Sequence, residues 1–364
     1  MHTLSYLSLS PVFFSFSTNL YKLLGCRLPE AVSLARFKYI DAIIISITNN
    51  DQNDYTNAPV FADIPTTLVQ QLGCSLNELK LVDENGNPIT FWPHASGASF
   101  LNQFYTIWFR IDLPASGTRT LNLVCDPANP SVTNNPTDVV DVYHGFADSS
   151  EIEPYDGTPT LDTNLYFDPP SSLCPICPSQ NATDTRVMVK TPIIYCDQFL
   201  AMGAWYIENP GSGHVLSFWA RDSEGEAWAG PYIWFGGTTP WVGYGTNIGY
   251  YDTAYRVLGQ YQADGQWHRL TVLGRAATQD FDIWYDQTQL GSNLGFIQGY
   301  KSFSSQNDLY IMLSEVAHST PDNSNTHYDS IVYTCVPYSK LPSVSTQFVQ
   351  GRLTSCVKFD PALT

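Results

Sequence analysis

Residues 265–290 constrain the fold more than any other stretch. In WHRLTVL (267–273), Trp267, Arg269, Thr271 and Leu273 point to one side and His268, Leu270 and Val272 to the other, the two-residue period of a pleated strand. The run FDIWY (281–285) repeats the alternation after a loop of Gly, Ala, Thr, Gln and Asp, so the segment reads as an antiparallel hairpin with one wet and one dry face. A lone hairpin is marginal in water, so its dry face requires a second sheet. His268 reads as a packed or surface residue of that strand, not a ligand.

The rest of the chain supplies that sheet. With 22 Tyr, 19 Phe and 9 Trp suited to pleated surfaces, and 24 Pro and 24 Gly as punctuation, the chain reads as all-β. Its 364 residues suffice for two cores. A first β-sandwich is expected over 37–150, with strands at 40–48, 60–64, 79–82, 104–111 and 120–125. Residues 151–185 carry six prolines and read as an extended linker. Nine short strands between 186 and 340, with no long helical period, fit a two-sheet jelly roll; 341–364 form a tail and 1–36 an N-terminal extension.

Charge narrows the partners. A net charge of −17 with only 17 Lys and Arg, scattered singly, excludes nucleic acid and suits an extracellular or cell-surface location. No stretch reaches the uninterrupted apolar length of a transmembrane span. Eight cysteines point to an oxidising compartment: Cys26, Cys74, Cys125, Cys174, Cys177, Cys196, Cys335 and Cys356. Cys174 and Cys177 form the one close pair and lack two further zinc ligands nearby, so disulfides account for them better. Cys196 and Cys335 flank the first and last strands of the second sandwich, which would bring them side by side. Residues 1–21 contain no charged side chain and allow three readings: a secretory signal, a lipoprotein leader ending at Cys26, or an assembly strand. Leu7, Leu9, Phe14 and Phe16 alternate with serines there, as in a strand donated to the sheet edge of another copy in a homopolymer.

Within 37–150 the order of LKLVDENG (79–86), PITFW (88–92), YTIWFRIDLP (105–114) and Gly117-Thr118 resembles an uncharacterised β-sandwich domain that precedes concanavalin-like or laminin-G-like lectin domains in surface and filament proteins. VCDP (124–127) departs from that family's closing element. THYDSIVY (326–333) resembles the closing strand of concanavalin-like domains. The resemblance implies two sandwiches, the second a concanavalin-like jelly roll, and implies no activity.

Several clusters could carry chemistry. Trp228, Trp234, Trp241 and Tyr244 lie in a glycine-rich aromatic stretch and are candidates for stacking on sugar rings. Asp222, Glu224 and Glu226 alternate in a way that would let oxygens converge on calcium. Asn181 opens the sequon Asn-Ala-Thr, a glycosylation acceptor. Glu151 and Glu153 echo the paired carboxylates of laminarinase-type glycosidases, but Pro154 is expected to break the rigid strand such a pair needs. No nucleophile elbow, phosphate loop or dinucleotide fingerprint occurs. The reading placed first is a non-enzymatic structural or adhesive surface protein, a filament subunit. The alternative is a carbohydrate-binding lectin-like module aided by calcium, and a glycan-active enzyme comes last.

Overall fold

The computed structural model describes residues 39–175, 185–210, 213–237, 245–315 and 325–353. The chain divides into a body of Asp41–Gln350 and a second unit of Met1–Ile40 with Gly351–Thr364. The assembly-strand residues Leu7, Leu9, Phe14 and Phe16 lie outside the described residues, as do Asn181, Cys177, Trp241 and Tyr244. The protein is all-β: among the described residues the seven-residue Thr66–Leu72 is the sole α-helix. None of these helices is long and apolar enough to cross a membrane.

Four sheets carry the architecture. The first runs in the order Ser343–Leu353, Tyr39–Thr48, Thr118–Cys125, Leu79–Val82, Pro88–Ile89. The second joins Tyr55–Pro65, Phe104–Leu113 and Phe91–Pro93, with Ser99–Phe100 beside them. Alternation builds the core between the two. Ile43, Ile45 and Ile47 are fully buried and pack in one cluster with Val60, Ala62, Ile64, Ile107 and Phe109 of the second sheet. The Asp83–Gly86 turn joins Leu79–Val82 to Pro88–Ile89 in the last hairpin of the first sheet. Gly86 takes the positive φ of 85°, and the Asp83 carboxylate accepts the backbone N–H of Asn85 and Asn87.

The third and fourth sheets form the larger sandwich, a jelly roll. The third runs Thr160–Asp162, Ser172–Cys174, Thr326–Cys335, Gln198–Ile207, Trp267–Arg275, Asp280–Tyr285, Thr288–Gly295, with Val142–His144 beside Thr326–Cys335. The fourth runs Ile152–Asp156, Thr185–Val189, Asp308–Glu315, Gly213–Asp222, Ile233–Gly236, Asn247–Tyr251, Tyr255–Gln260, with Gly225–Trp228 beside Gly213–Asp222. Phe199, Trp205, Leu270, Val272, Phe281 and Ile283 of the third sheet meet Phe218, Ile233, Phe235, Ile311 and Leu313 of the fourth in one buried cluster.

Three expectations change. The proline-rich stretch is not a free linker: Ile152–Asp156 pairs with Thr185–Val189, and Thr160–Asp162 pairs with Ser172–Cys174. Pro154 does not break its strand, because Ile152–Asp156 is the edge of its sheet, where a missing N–H leaves no ladder bond unmade. Residues 343–353 are no tail but a strand beside Tyr39–Thr48.

A fourth correction concerns the hairpin's wet face. Arg269, Thr271 and Leu273 are buried, because the second sheet lies over them. On that sheet Phe61, Asp63, Trp108 and Thr106 sit opposite one another, on the face turned away from the small core. Leu200, Met202, Leu273 and Val332 of the jelly roll join the hydrophobic cluster of the small sandwich, each such side chain worth ~1.5–3 kcal/mol of burial at most. The small sandwich's hydrophobic cluster therefore extends onto the outer face of the jelly roll, which keeps a separate core between its own two sheets.

Polar groups fix that junction. The Arg269 guanidinium, 3% exposed, forms a two-pronged ion pair with Asp63 and donates to Thr106 Oγ1 at 2.7 Å and to the Asp286 carbonyl at 3.0 Å. Tyr338 donates its hydroxyl to the Pro59 carbonyl at 2.9 Å, and Asp141 accepts from Arg110, from Thr334 Oγ1 and from the Cys335 backbone N–H. Cys196 and Cys335 are bonded as the strand order suggested, with Cα atoms 5.7 Å apart. Cys74 bonds to Cys125 across 5.9 Å, and Cys174 is also in a disulfide.

Candidate functional site

A half-buried tryptophan marks the site. On Asp280–Tyr285 the residues Phe281, Ile283 and Tyr285 point into the jelly-roll core, which turns Asp280, Asp282 and Trp284 to the opposite face. Cross-strand pairing sets Thr271 opposite Trp284, Leu273 opposite Asp282 and Arg275 opposite Asp280. Gln289 of the next strand lies on the other side of Trp284. The indole thus stands in a row of polar groups at the margin where the second sheet stops covering the third.

Two hollows open beside it. One, of about 450 Å3, lies between the edge of the second sheet (Phe61, Asp63) and the chain from Tyr338 to Thr346, with Arg269, Asp286 and Gln287 in its wall. The other, of about 540 Å3, is bounded by Arg275, Asp282, Gln289, Asn293 and Lys340. Trp284 and Leu341 line both, so the hollows form one cleft with the indole between them.

Its charges are largely spoken for. Arg275 donates to both oxygens of Asp282 at 3.0 and 2.6 Å, to Asp280, and to the Ser339 carbonyl at 3.0 Å. Asp282 Oδ1 also accepts the Asn293 backbone N–H at 2.8 Å. Asp286 Oδ2 lies 2.9 Å from Nδ1 of His268, whose Nε2 lies 3.1 Å from Asp264. Burial favours the neutral imidazole, yet the carboxylates of Asp286 and Asp264 outweigh it and hold the His268 pKa above the ordinary value. Gln287, Gln289, Asn293 and Lys340 are exposed. The cleft therefore offers a flat apolar ring, carboxylates fixed in place by internal cations, and exposed amides each held by one long hydrogen bond: Gln287 donates to Asp63 at 3.2 Å, Gln289 to the Gly291 carbonyl at 3.5 Å, and Asn293 Oδ1 accepts from Arg275 at 3.3 Å. It shows no nucleophile paired with a base.

The residues singled out from sequence lie elsewhere. Trp228 is 5% exposed and packs edge-to-face between Trp219 and Tyr232, with centroids 4.8 and 4.7 Å away. Trp234 is fully buried in a strand whose every residue is buried. Neither ring has a free face for a sugar: Trp228 is part of a satellite core with Met188, Trp219, Tyr232 and Tyr310, and Trp234 is wholly enclosed. The calcium reading is likewise corrected. Asp222 pairs with Lys301 at 2.6 Å and caps the Glu224 backbone N–H, while Glu226 pairs with Arg221 at 2.8 Å. Internal cations thus take the oxygens a calcium ion would need, and no group of three acidic, His or Cys side chains among the described residues could hold a metal. Glu151 accepts from Ala147 N–H and faces His144 Nδ1 at 3.0 Å, and Glu153 pairs with Arg221 at 3.1 Å.

Sequence reasoning passed over Trp284. The signal was present: alone among the aromatics of its strand, it shares a face with Asp282 and not with Phe281, Ile283 and Tyr285. A tryptophan on the polar side of an amphipathic strand is the residue to question.

No protein-family model matches the chain, and no curated protein matches it in sequence. The family resemblance of residues 37–150 thus has no family model behind it. Among solved structures the chain is similar to lectin II from Ulex europaeus (12% identity, TM-score 0.37, covering 54% of this chain and 98% of that one). It is also similar to the potassium-bound carbohydrate recognition domain of Emp46p (12%, TM-score 0.35, 56% and 92%) and to the cellulose induced protein Cip1 (13%, TM-score 0.35, 53% and 97%). Scores this low carry no argument, and the fold stated above rests on this chain's own strand pairing.

Proposed function

We propose that this is a non-enzymatic, extracellular glycan-binding protein whose binding site is the cleft around Trp284. One observation carries the reading: an indole left half-exposed at a domain junction, ringed by amides and internally neutralised carboxylates. An apolar ring face recognises the C–H side of a sugar, and amide and carboxylate oxygens accept its hydroxyls at the rim. The disulfides Cys74–Cys125 and Cys196–Cys335 support an oxidising compartment outside the cell. Here the lectin-like reading replaces the filament subunit placed first from sequence, whose assembly strand falls outside the described residues.

The test is a screen of the full chain against an array of neutral and acidic glycans. The expected result is binding that Trp284→Ala weakens tenfold or more, ~1.4 kcal/mol from lost stacking and burial, and that Trp284→Phe partly retains. Circular dichroism of both variants should match the parent, and Trp284→Ala should lower the denaturant midpoint only by the loss of one partly buried side chain that packs against the small sandwich's cluster. No binding by the parent, or binding untouched by Trp284→Ala, refutes the assignment.

A further inference from the structure

The cleft continues on both sides of Trp284, and this fixes the kind of glycan it takes. We infer, resting on the glycan-binding reading above, that it holds an internal stretch of a neutral linear glycan several rings long, with Trp284 under a central sugar.

Three observations carry this. First, Trp284 is a shared wall of two hollows and not the floor of one, so a sugar stacked on it has room on both sides to continue the chain. A site for a single terminal sugar would be closed on one side. Second, Asp280, Asp282 and Trp284 succeed one another along one strand, and Asp286 follows in the turn that ends it. At ~3.4 Å per residue the strand from 280 to 285 spans ~17 Å, more than one sugar ring stacked on one indole can use. Third, the charges are wrong for an acidic sugar. Asp63, Asp280, Asp282 and Asp286 line the cleft, and the guanidinium ends of Arg269 and Arg275 are engaged by those carboxylates. Lys340 is the one lining cation with no ion-pair partner among the described residues, and the whole chain carries −17. Recognition is left to neutral groups, Gln287 in one hollow and Gln289 and Asn293 in the other.

The experiment measures affinity by titration calorimetry for ladders of one to six units of linear glucans, mannans, galactans and xylans, α- and β-linked. Polygalacturonate and a sulfated glycan serve as acidic probes. For the ladder that binds, affinity should rise about tenfold or more from one unit to four and then level off. Gln287→Ala and Gln289→Ala should each weaken the six-unit ligand about threefold, the scale of one hydrogen bond, and leave the two-unit ligand within twofold. Affinity independent of chain length, or tighter binding of either acidic probe, overturns this inference while leaving glycan binding intact. No binding to any ladder or probe removes both.

Discussion

Replacing Asp63 with alanine tests the junction of the two sandwiches most directly. Arg269 projects from the jelly roll into the small sandwich, and its guanidinium is 3% exposed, so water from the adjoining hollow replaces a lost carboxylate only in part. Removing one partner of such a pair costs ~3–5 kcal/mol, because the surviving charge stays buried without its counterion. Some compensation remains. Arg269 keeps Thr106 Oγ1 and the Asp286 carbonyl, and its guanidinium carbon lies 4.9 Å from the Phe104 ring centroid and 5.2 Å from that of Phe61. These contacts put the expected loss near the lower end, ~3 kcal/mol. Urea unfolding of the full chain, followed by tryptophan fluorescence and circular dichroism, gives the value. Arg269→Met in the Asp63→Ala background should recover much of the loss, because the stranded charge is then gone and an apolar chain fills its place among Phe61, Phe100 and Phe104. A loss below ~1 kcal/mol, or strictly additive effects in the cycle, would refute the claim that this pair ties the sandwiches together.

Acid should weaken the fold through two buried histidines. Burial, with Arg269 nearby, depresses the His94 pKa to about 3, and burial depresses that of His327 to about 4. Both folded values lie below the unfolded value near 6.5, so their stabilisation is complete above pH ~6.5 and is lost as pH falls toward the folded values. Between pH 7 and pH 5 each should remove ~2 kcal/mol, read as a flatter pH dependence of urea stability in His94→Gln than in the parent; equal slopes would contradict it. In the jelly-roll core a Cβ on Gly274 would overlap the ring of Phe199, itself stacked on Phe303 at 4.9 Å and Tyr333 at 5.3 Å. Gly274→Ala should cost ~1–3 kcal/mol or more in urea unfolding, partly restored by Phe199→Leu, and an unchanged midpoint would count against this packing.

Strands were legible in the sequence where alternation was strong. The expected 79–82 coincides with Leu79–Val82, and 40–48, 104–111 and 267–273 fall inside Tyr39–Thr48, Phe104–Leu113 and Trp267–Arg275. What alternation cannot show is what lies over the second face. Alternation showed that Arg269 and Thr271 share one side of their strand, and only the second sheet makes that side interior. The prolines of 151–175 hid strands, since an edge strand tolerates proline without leaving a sequence mark. The site failed for a related reason: composition drew attention to the crowded rings around Trp228 and Trp234, which are crowded because they are interior, Trp228 among Trp219 and Tyr232 and Trp234 fully buried. Trp284 stood alone, and its meaning lay in which neighbours shared its face.

The strand Ser343–Leu353 closes the first sheet against Tyr39–Thr48, although the whole jelly roll lies between them in sequence. During synthesis the amino-terminal strand must therefore wait for roughly 300 further residues, about 15–60 s at ordinary ribosome speeds, before its outer edge is paired. Through that interval a strand containing Ile43, Ile44, Ile45 and Ile47 presents open backbone to the surrounding solution. Translation rate and chaperone supply, more than final stability, would then set the yield of correctly finished chains, and a slow stretch of codons after the jelly roll would do the most harm.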